Sequence, residues 1–261
     1  MLMTDGQLRN GTINPRQIGM EAYRSVKQAD YTKEAEVYDL KRFCNRAGRF
    51  YAELSNQILF DLLDAKKGDR ILDLATGTGR VSVGLAEKGV SIFGADLTWK
   101  MIERAREKAT RKGLANVSFH LADGLQLPYK DCTFDKIVSI RFFHILPFEM
   151  QKAILREVGR VLRPGGIFIV EFNSPFAGLF LWAIRRDHLV IWPREVRELF
   201  RGMTIVKKVG VMFPGLGRIA RVHPRLGYAL GRRLDFFPVN HLCNQILIVA
   251  RKREEASAKA A

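Results

Sequence analysis

The stretch Ile71-Leu72-Asp73-Leu74-Ala75-Thr76-Gly77-Thr78-Gly79 decides the fold. The turn Gly68-Asp69-Arg70 leads into a short, mostly apolar run, Ile71 to Leu74, which reads as a buried strand. Gly77 and Gly79 follow, and glycines at this point let the backbone turn tightly and come close to a ligand. Arg80 to Lys88 then reads as a helix stopped by Gly89. Strand, glycine turn and helix together form the first unit of an open α/β sheet. Such sheets bind ligands at the carboxyl ends of their strands.

The same alternation extends in the C-terminal direction. Val90 to Ala95 is a second strand ending on Asp96, and Lys100 to Lys112 is a charged amphipathic helix closed by Gly113. Val117 to Leu121, Lys136 to Ile140 and Ile167 to Phe172 are further strands. Glu149 to Leu162 is a helix stopped by Arg163-Pro164-Gly165-Gly166. Nearly all-apolar strands alternating with helices predict a parallel sheet covered on both faces. Upstream, residues 1–30 read as a mobile tail leading into a helix, and Tyr31 to Leu63 as two helical pieces broken near Gly48. Downstream, an aromatic-rich stretch precedes a helix opened by Pro193. Thr204 to Phe213 and Gln245 to Arg251 read as late strands, and residues 252–261 as a frayed tail. The expected organisation is one domain over 31–251, with the substrate covered by the N-terminal helices and by an insertion at about 173–241.

The turn also narrows the ligand. A dinucleotide-binding fingerprint needs a third glycine near position 82, where this chain has Ser82. Asp73, at the start of the motif, would repel a pyrophosphate. S-adenosylmethionine (SAM) carries an ammonium group and no phosphate, so an acidic residue beside a glycine turn suits it better. Asp96 stands 23 residues after Asp73, at the second strand end, where a carboxylate accepts hydrogen bonds from ribose hydroxyls. Ala122-Asp123-Gly124 follows the third strand and places a carboxylate within reach of an adenine amino group.

From Ile71 to Phe172 this order resembles the SAM-binding core of class I methyltransferases, and it is most similar to the small-molecule branch that includes ubiquinone- and menaquinone-biosynthesis enzymes. The resemblance implies a Rossmann-like α/β fold: a mostly parallel seven-stranded sheet with an antiparallel last strand near residues 245–251 and helices on both faces. It implies that Asp73, Ala75, Thr76, Gly77 and Gly79 hold the methionine end of SAM. Asp96 would take the ribose, Leu97 would pack on the adenine, and Asp123, flanked by Ala122 and Gly124, would meet the adenine amino group. Ile140 completes this set at the end of the fourth strand. Ala75 and Thr76 stand where many members have Gly or Cys and another small residue.

Methyl transfer from a sulfonium is a direct displacement, so the protein mainly aligns donor and acceptor and excludes water. A base is needed only for a hydroxyl or weakly acidic carbon acceptor. His144, just past the fourth strand, is the candidate base, with a packing histidine as the alternative. Arg141 is the candidate anchor for an anionic substrate, or it shapes the cofactor pocket. Ile140-Arg141-Phe142-Phe143 lacks the Asn/Asp-Pro-Pro-aromatic motif of amino-group methylation on nucleic-acid bases. None of the three cysteines follows a proline, which argues against cytosine C5 chemistry.

Composition bounds the partners. Forty-three basic residues against 27 acidic give a net charge of +16, which favours an anionic partner. Arg218, Arg221, Arg225, Arg232 and Arg233 lie among aromatic residues such as Trp182, Trp192, Phe213, Phe236 and Phe237. That mixture suits an anionic membrane surface; RNA is the second choice. Cys44, Cys132 and Cys243 show no metal-ligand spacing and no disulfide framework, so a reducing, cytoplasmic location at or near the inner membrane surface is expected, with no metal. No signal-peptide pattern is read at the N-terminus, and the most apolar segment, Phe172 to Ile184, is about 13 residues, too short to span a bilayer. The leading expectation is methyl transfer to a small lipophilic acceptor. An RNA methyltransferase and a SAM-binding regulator without turnover are the alternatives.

Overall fold

The computed structural model describes residues 19–174, 191–211, 213, 216, 219, 222–231 and 242–254. In chain order the helices are α1 (Met20–Glu34), α2 (Tyr38–Phe43), α3 (Arg46–Leu63), α4 (Arg80–Ala86), α5 (Trp99–Arg111), α6 (Phe148–Val161), α7 (Pro193–Leu199) and α8 (Pro224–Gly231). The strands are β1 (Ile71–Leu74), β2 (Ile92–Asp96), β3 (Val117–Leu121), β4 (Phe134–Ser139), β5 (Leu162–Asn173), β6 (Met203–Val211) and β7 (Gln245–Lys252). They form one seven-stranded sheet in the order β3-β2-β1-β4-β5-β7-β6. The first five run parallel, and β7 pairs antiparallel with both β5 and β6. The order reverses at β1 and β4, which opens a crevice beyond their carboxyl ends, where open α/β sheets bind ligands.

β1 is buried along its whole length because helices cover both faces of the sheet. One core, with Leu72, Phe134, Ile137 and Phe168, fills the face against α6 and α7; a second, with Leu54, Ile58, Leu59, Ile71 and Val138, fills the face against α3 and α4. β6 is an edge strand with exposed Lys207 and half-buried Lys208, and charge of this kind discourages pairing with other chains.

Three features differ from the sequence expectation. The helix break near Gly48 lies instead at Cys44-Asn45, and Gly48 is inside the first turn of α3. The Asn45 side chain accepts from the Gly48 N–H at 2.7 Å, capping α3. A Cβ on Gly48 would collide with the Arg42 carbonyl at the end of α2, so this glycine serves a close approach and does not break a helix. The expected boundary at residue 30 falls within α1, which runs on to Glu34. The Arg163-Pro164-Gly165-Gly166 turn lies inside β5, at a register irregularity between the pairs Phe134↔Leu162 and Lys136↔Ile167. Of the expected cover at 173–241, Ile191 is buried and Trp192 exposed, while Trp182, Phe236, Phe237, Arg218, Arg221, Arg232 and Arg233 lie outside the described residues.

Gly94 sits in the middle of β2, where an added Cβ would come within 2.6 Å of the Phe119 ring and 3.1 Å of Ser82 Oγ. Gly94→Ala is therefore expected to lower stability by about 1–3 kcal/mol through overpacking. Chemical denaturation of the single variants and of Gly94→Ala with Phe119→Leu checks this. The pair should cost less than the sum of its parts, because the smaller side chain vacates the contested space.

Candidate active site

The loop after β1 is built around Asp73. Its side chain is buried, and Oδ2 accepts three hydrogen bonds: from Thr76 Oγ1 at 2.7 Å, Ser82 Oγ at 2.7 Å and the Ser82 N–H at 3.1 Å. Burial raises the Asp73 pKa, and these hydrogen bonds oppose it. Ser82, whose identity argues against a dinucleotide, is thus the partner that fixes Asp73. The Thr76 N–H donates to the Ala95 carbonyl at 2.9 Å and ties the loop to β2. Gly77 and Gly79 have positive φ, and so does Ala75, at 58°. An alanine in the left-handed region costs roughly 1–2 kcal/mol, and the hydrogen-bonded loop holds it there.

Asp96 ends β2 beside this loop. Its Oδ2 accepts from the Gly77 N–H and its Oδ1 from the Thr98 N–H, each at 2.9 Å. Burial pushes its carboxyl up to about 6, against those two backbone hydrogen bonds. Each carboxylate oxygen keeps a lone pair for a further donor. Asp123 follows β3. One of its oxygens accepts from the Leu125 N–H at 2.9 Å, and the other pairs with Arg24 of α1 at 2.8 Å.

These residues line one cavity at the carboxyl edge of the sheet, enclosing about 1160 Å³ of non-protein space, part of it open to solvent. The wall includes Asp73, Ala75, Thr76, Gly77, Asp96, Leu97, Ala122, Asp123, Gly124, Ile140 and Arg141. Helix α1 forms its roof through three polar ties: Tyr23 donates to the Ile145 carbonyl, Arg24 pairs with Asp123, and Gln28 donates to the Leu97 carbonyl at 3.1 Å. Tyr31, Tyr38, Phe43, Arg80 and Phe142 also line the cavity. The roof agrees with the expectation that N-terminal helices contribute to the cover, and Tyr23, Lys27 and Tyr31, which recur every fourth residue, share the helical face that lines the cavity.

Two expected residues do not reach the cavity wall. Gly79 lies beneath α5, where a Cβ would sit 2.9 Å from the Ala105 Cβ, so it serves helix packing. His144 lies in the 3₁₀ turn Phe143–Ile145, which turns Phe142 and Ile145 toward the cavity and buries Phe143 and His144. His144 is 4% exposed.

The geometry tests the fit of an adenosyl sulfonium cofactor. Asp73, Asp96 and Asp123 all line the cavity, which suits an ammonium, a ribose diol and an adenine amino group better than phosphates. A methyltransferase-domain family profile matches residues 65–204, more than half of the chain. Demethylmenaquinone methyltransferase of Thermus thermophilus is 40% identical over 155 residues, covering 58% of this chain and 67% of that one. The methyltransferase GfsG of Streptomyces halstedii is 39% identical over 116 residues, covering 44% of this chain and 41% of its own length. Among solved structures, a SAM-dependent methyltransferase of Thermotoga maritima superposes with a TM-score of 0.61 at 20% identity, covering 85% of this chain and 98% of that chain. A chain from the complex between the Haloferax volcanii Trm112 methyltransferase activator and a methyltransferase gives 0.62 at 21% identity, over 86% and 98%. At such identities the superpositions speak for the fold alone. With the profile match over its sheet and the carboxylate-lined cleft, the chain belongs to the methyltransferase-domain family and is a class I SAM-dependent methyltransferase.

Proposed function

We propose that this enzyme methylates a small, lipophilic acceptor taken from, or held at, an anionic membrane surface. One observation carries the reading: Tyr31, Tyr38, Phe43, Phe142 and Ile145 line the same cavity as the three carboxylates, beneath α1. Aromatic and aliphatic side chains lining a cavity suit a compact apolar body. The relatives named as demethylmenaquinone methyltransferases lend support, since a quinone is such a body.

The cofactor supplies a methyl group already activated by its sulfonium charge. The chain's own residues bind and orient. Asp96 accepts from the ribose hydroxyls through the lone pairs its backbone partners leave. Asp123 takes the adenine amino group while sharing or releasing Arg24. Leu97, Ala122 and Met101 provide apolar walls, and the roof excludes water. No proton transfer is assigned to His144, which is buried off the cavity.

Among the described residues no helix is long and apolar enough to cross a membrane. Membrane contact is assigned to the region of α8, where Val222, Leu226 and Leu230 are exposed beside Arg225. Arg218, Arg221, Arg232 and Arg233 belong to the same proposal by sequence alone.

Three expected outcomes test this reading. Labelled methyl from SAM should enter a lipid extract and not total RNA; label in RNA alone would overturn the acceptor assignment. Binding of S-adenosylhomocysteine, followed by calorimetry, should be flat above pH 6 and weaken as pH falls through about 6, because protonation removes the acceptor that Asp96 offers to the ribose. Asp96→Ala should weaken binding roughly 10- to 150-fold, the value of charged hydrogen bonds of about 1.5–3 kcal/mol. An unchanged affinity would remove Asp96 from the site. Arg225→Glu should weaken sedimentation with phosphatidylglycerol vesicles by roughly fivefold or more, since each basic residue near such a surface contributes about 1 kcal/mol. Wild-type protein that ignores these vesicles at low salt would sink the membrane assignment.

A further inference from the structure

The roof of the cavity carries charge of its own. On α1, Arg24, Lys27, Gln28 and Tyr31 recur at helical spacing, and all four line the cavity. Tyr23 and Val26 of the same helix are buried in the core. Arg24 reaches a carboxylate: its Nη1 lies 2.8 Å from Asp123 Oδ2. Asp123 differs in this from Asp96. Both oxygens of Asp96 accept from backbone N–H groups, those of Gly77 and Thr98. Asp123 accepts from one backbone N–H, that of Leu125, through Oδ1, and its Oδ2 meets the roof. The two side chains are 39% and 23% exposed, so the pair lies at the wall and not in the core. Gln28 donates to the Leu97 carbonyl at 3.1 Å. The roof thus rests on Leu97 and Asp123, the two positions that the cofactor reading gives to adenine.

That placement makes the guanidinium and the adenine amino group rivals. Both are N–H donors for one carboxylate. A carboxylate oxygen has lone pairs for two donors, so the rivals can share Asp123 or exclude each other. Sharing does not end the rivalry. A hydrogen bond to a carboxylate is strong because the acceptor is charged, and a guanidinium in contact offsets much of that charge. Asp123 therefore offers adenine less beside Arg24 than it would alone, whether through place or through charge. The penalty is modest, because a partly exposed ion pair contributes little and is screened by salt. Such a pair holds the roof down and still yields to a ligand.

We propose that Arg24 is an internal competitor of the cofactor. Its guanidinium holds the carboxylate that the adenine amino group takes, and each binding event breaks or weakens the pair. Release of that tie leaves α1 to its remaining contacts, those of Tyr23 and Gln28 among them. Linkage makes the exchange reciprocal: the cofactor loosens the roof, and a roof drawn away tightens the cofactor. The inference rests on the reading of Asp123 as the partner of the adenine amino group.

The probes are S-adenosylhomocysteine and its analogue with purine in place of adenine, which lacks only the amino group. Calorimetry gives their affinities for the wild type, Arg24→Met and Arg24→Lys. Methionine keeps an unbranched side chain and removes the charge. Arg24→Met should bind S-adenosylhomocysteine about two- to fivefold more tightly than the wild type, the range of an exposed ion pair. The analogue should bind both proteins alike, and Arg24→Lys should behave as the wild type. Any long-range effect of the lost charge acts on both ligands and cancels between them. In the wild type alone, the preference for the amino-bearing ligand should grow from about 10 mM to about 1 M salt, as the screening length falls from roughly 30 to roughly 3 Å. If that preference exists but is unmoved by salt, or if Arg24→Met binds S-adenosylhomocysteine no more tightly, the competition is overturned and the reading of Asp123 stands. If neither protein prefers the amino-bearing ligand, or neither binds it, that reading fails and this inference with it. The salt series needs no variant, so a misfolded Arg24→Met leaves the test intact.

Discussion

Asp73 keeps its carboxyl group away from solvent by turning one oxygen toward two hydroxyls and a backbone N–H. Desolvating a carboxylate costs several kcal/mol, and each hydrogen bond to a charged acceptor returns about 1.5–3. That exchange ties the end of β1, the loop and the first turn of α4 into one unit. Ala75 is held in its strained conformation by that unit, and the Gly77 N–H is thereby aimed at Asp96. Through Thr98, Asp96 in turn fixes the start of α5. The floor of the site is a chain of carboxylate-to-backbone hydrogen bonds that begins at one buried aspartate.

The roof is held differently. The pair of Arg24 with Asp123 is partly exposed, and pairs of this kind contribute about 0–1 kcal/mol. The other two ties of α1 are hydrogen bonds to carbonyl groups. The sheet floor therefore rests on buried, mutually satisfied polar groups, and the roof on partly exposed polar ties together with the buried Tyr23 and Val26. A site that admits a nucleoside cofactor beneath a helix needs this contrast between a fixed surface and one that opens at low cost.

The floor was legible in the sequence because its geometry follows from local rules. A four-residue apolar run, glycines at a turn and acidic residues at successive strand ends place Asp73, Asp96 and Asp123 without knowledge of tertiary contacts. The antiparallel last strand and the approximate bounds of the strands were legible for the same reason. Of the roof, the N-terminal helices were legible as a source of cover but their contacts were not, because α1 meets the cavity through packing between segments far apart in the chain, and a polar, aromatic face at fourth-residue spacing looks like a solvated helix. Gly48 misled because a glycine that permits close approach leaves the same mark in a sequence as one that ends a helix. For His144 the sequence left a base and a packing residue both open, because proximity in sequence to β4 does not say which way a tight turn faces.

The residues matched by the family profile begin at position 65, after α1, α2 and α3. The profile thus covers the floor and leaves out the helices that supply Tyr23, Tyr31, Tyr38 and Phe43 to the cavity. The matched stretch holds the carboxylate floor together with Phe142 and Ile145, and the helices before it bring the remaining aromatic wall. Substitutions in those helices reshape one side of the cavity while the hydrogen-bonded floor is left untouched.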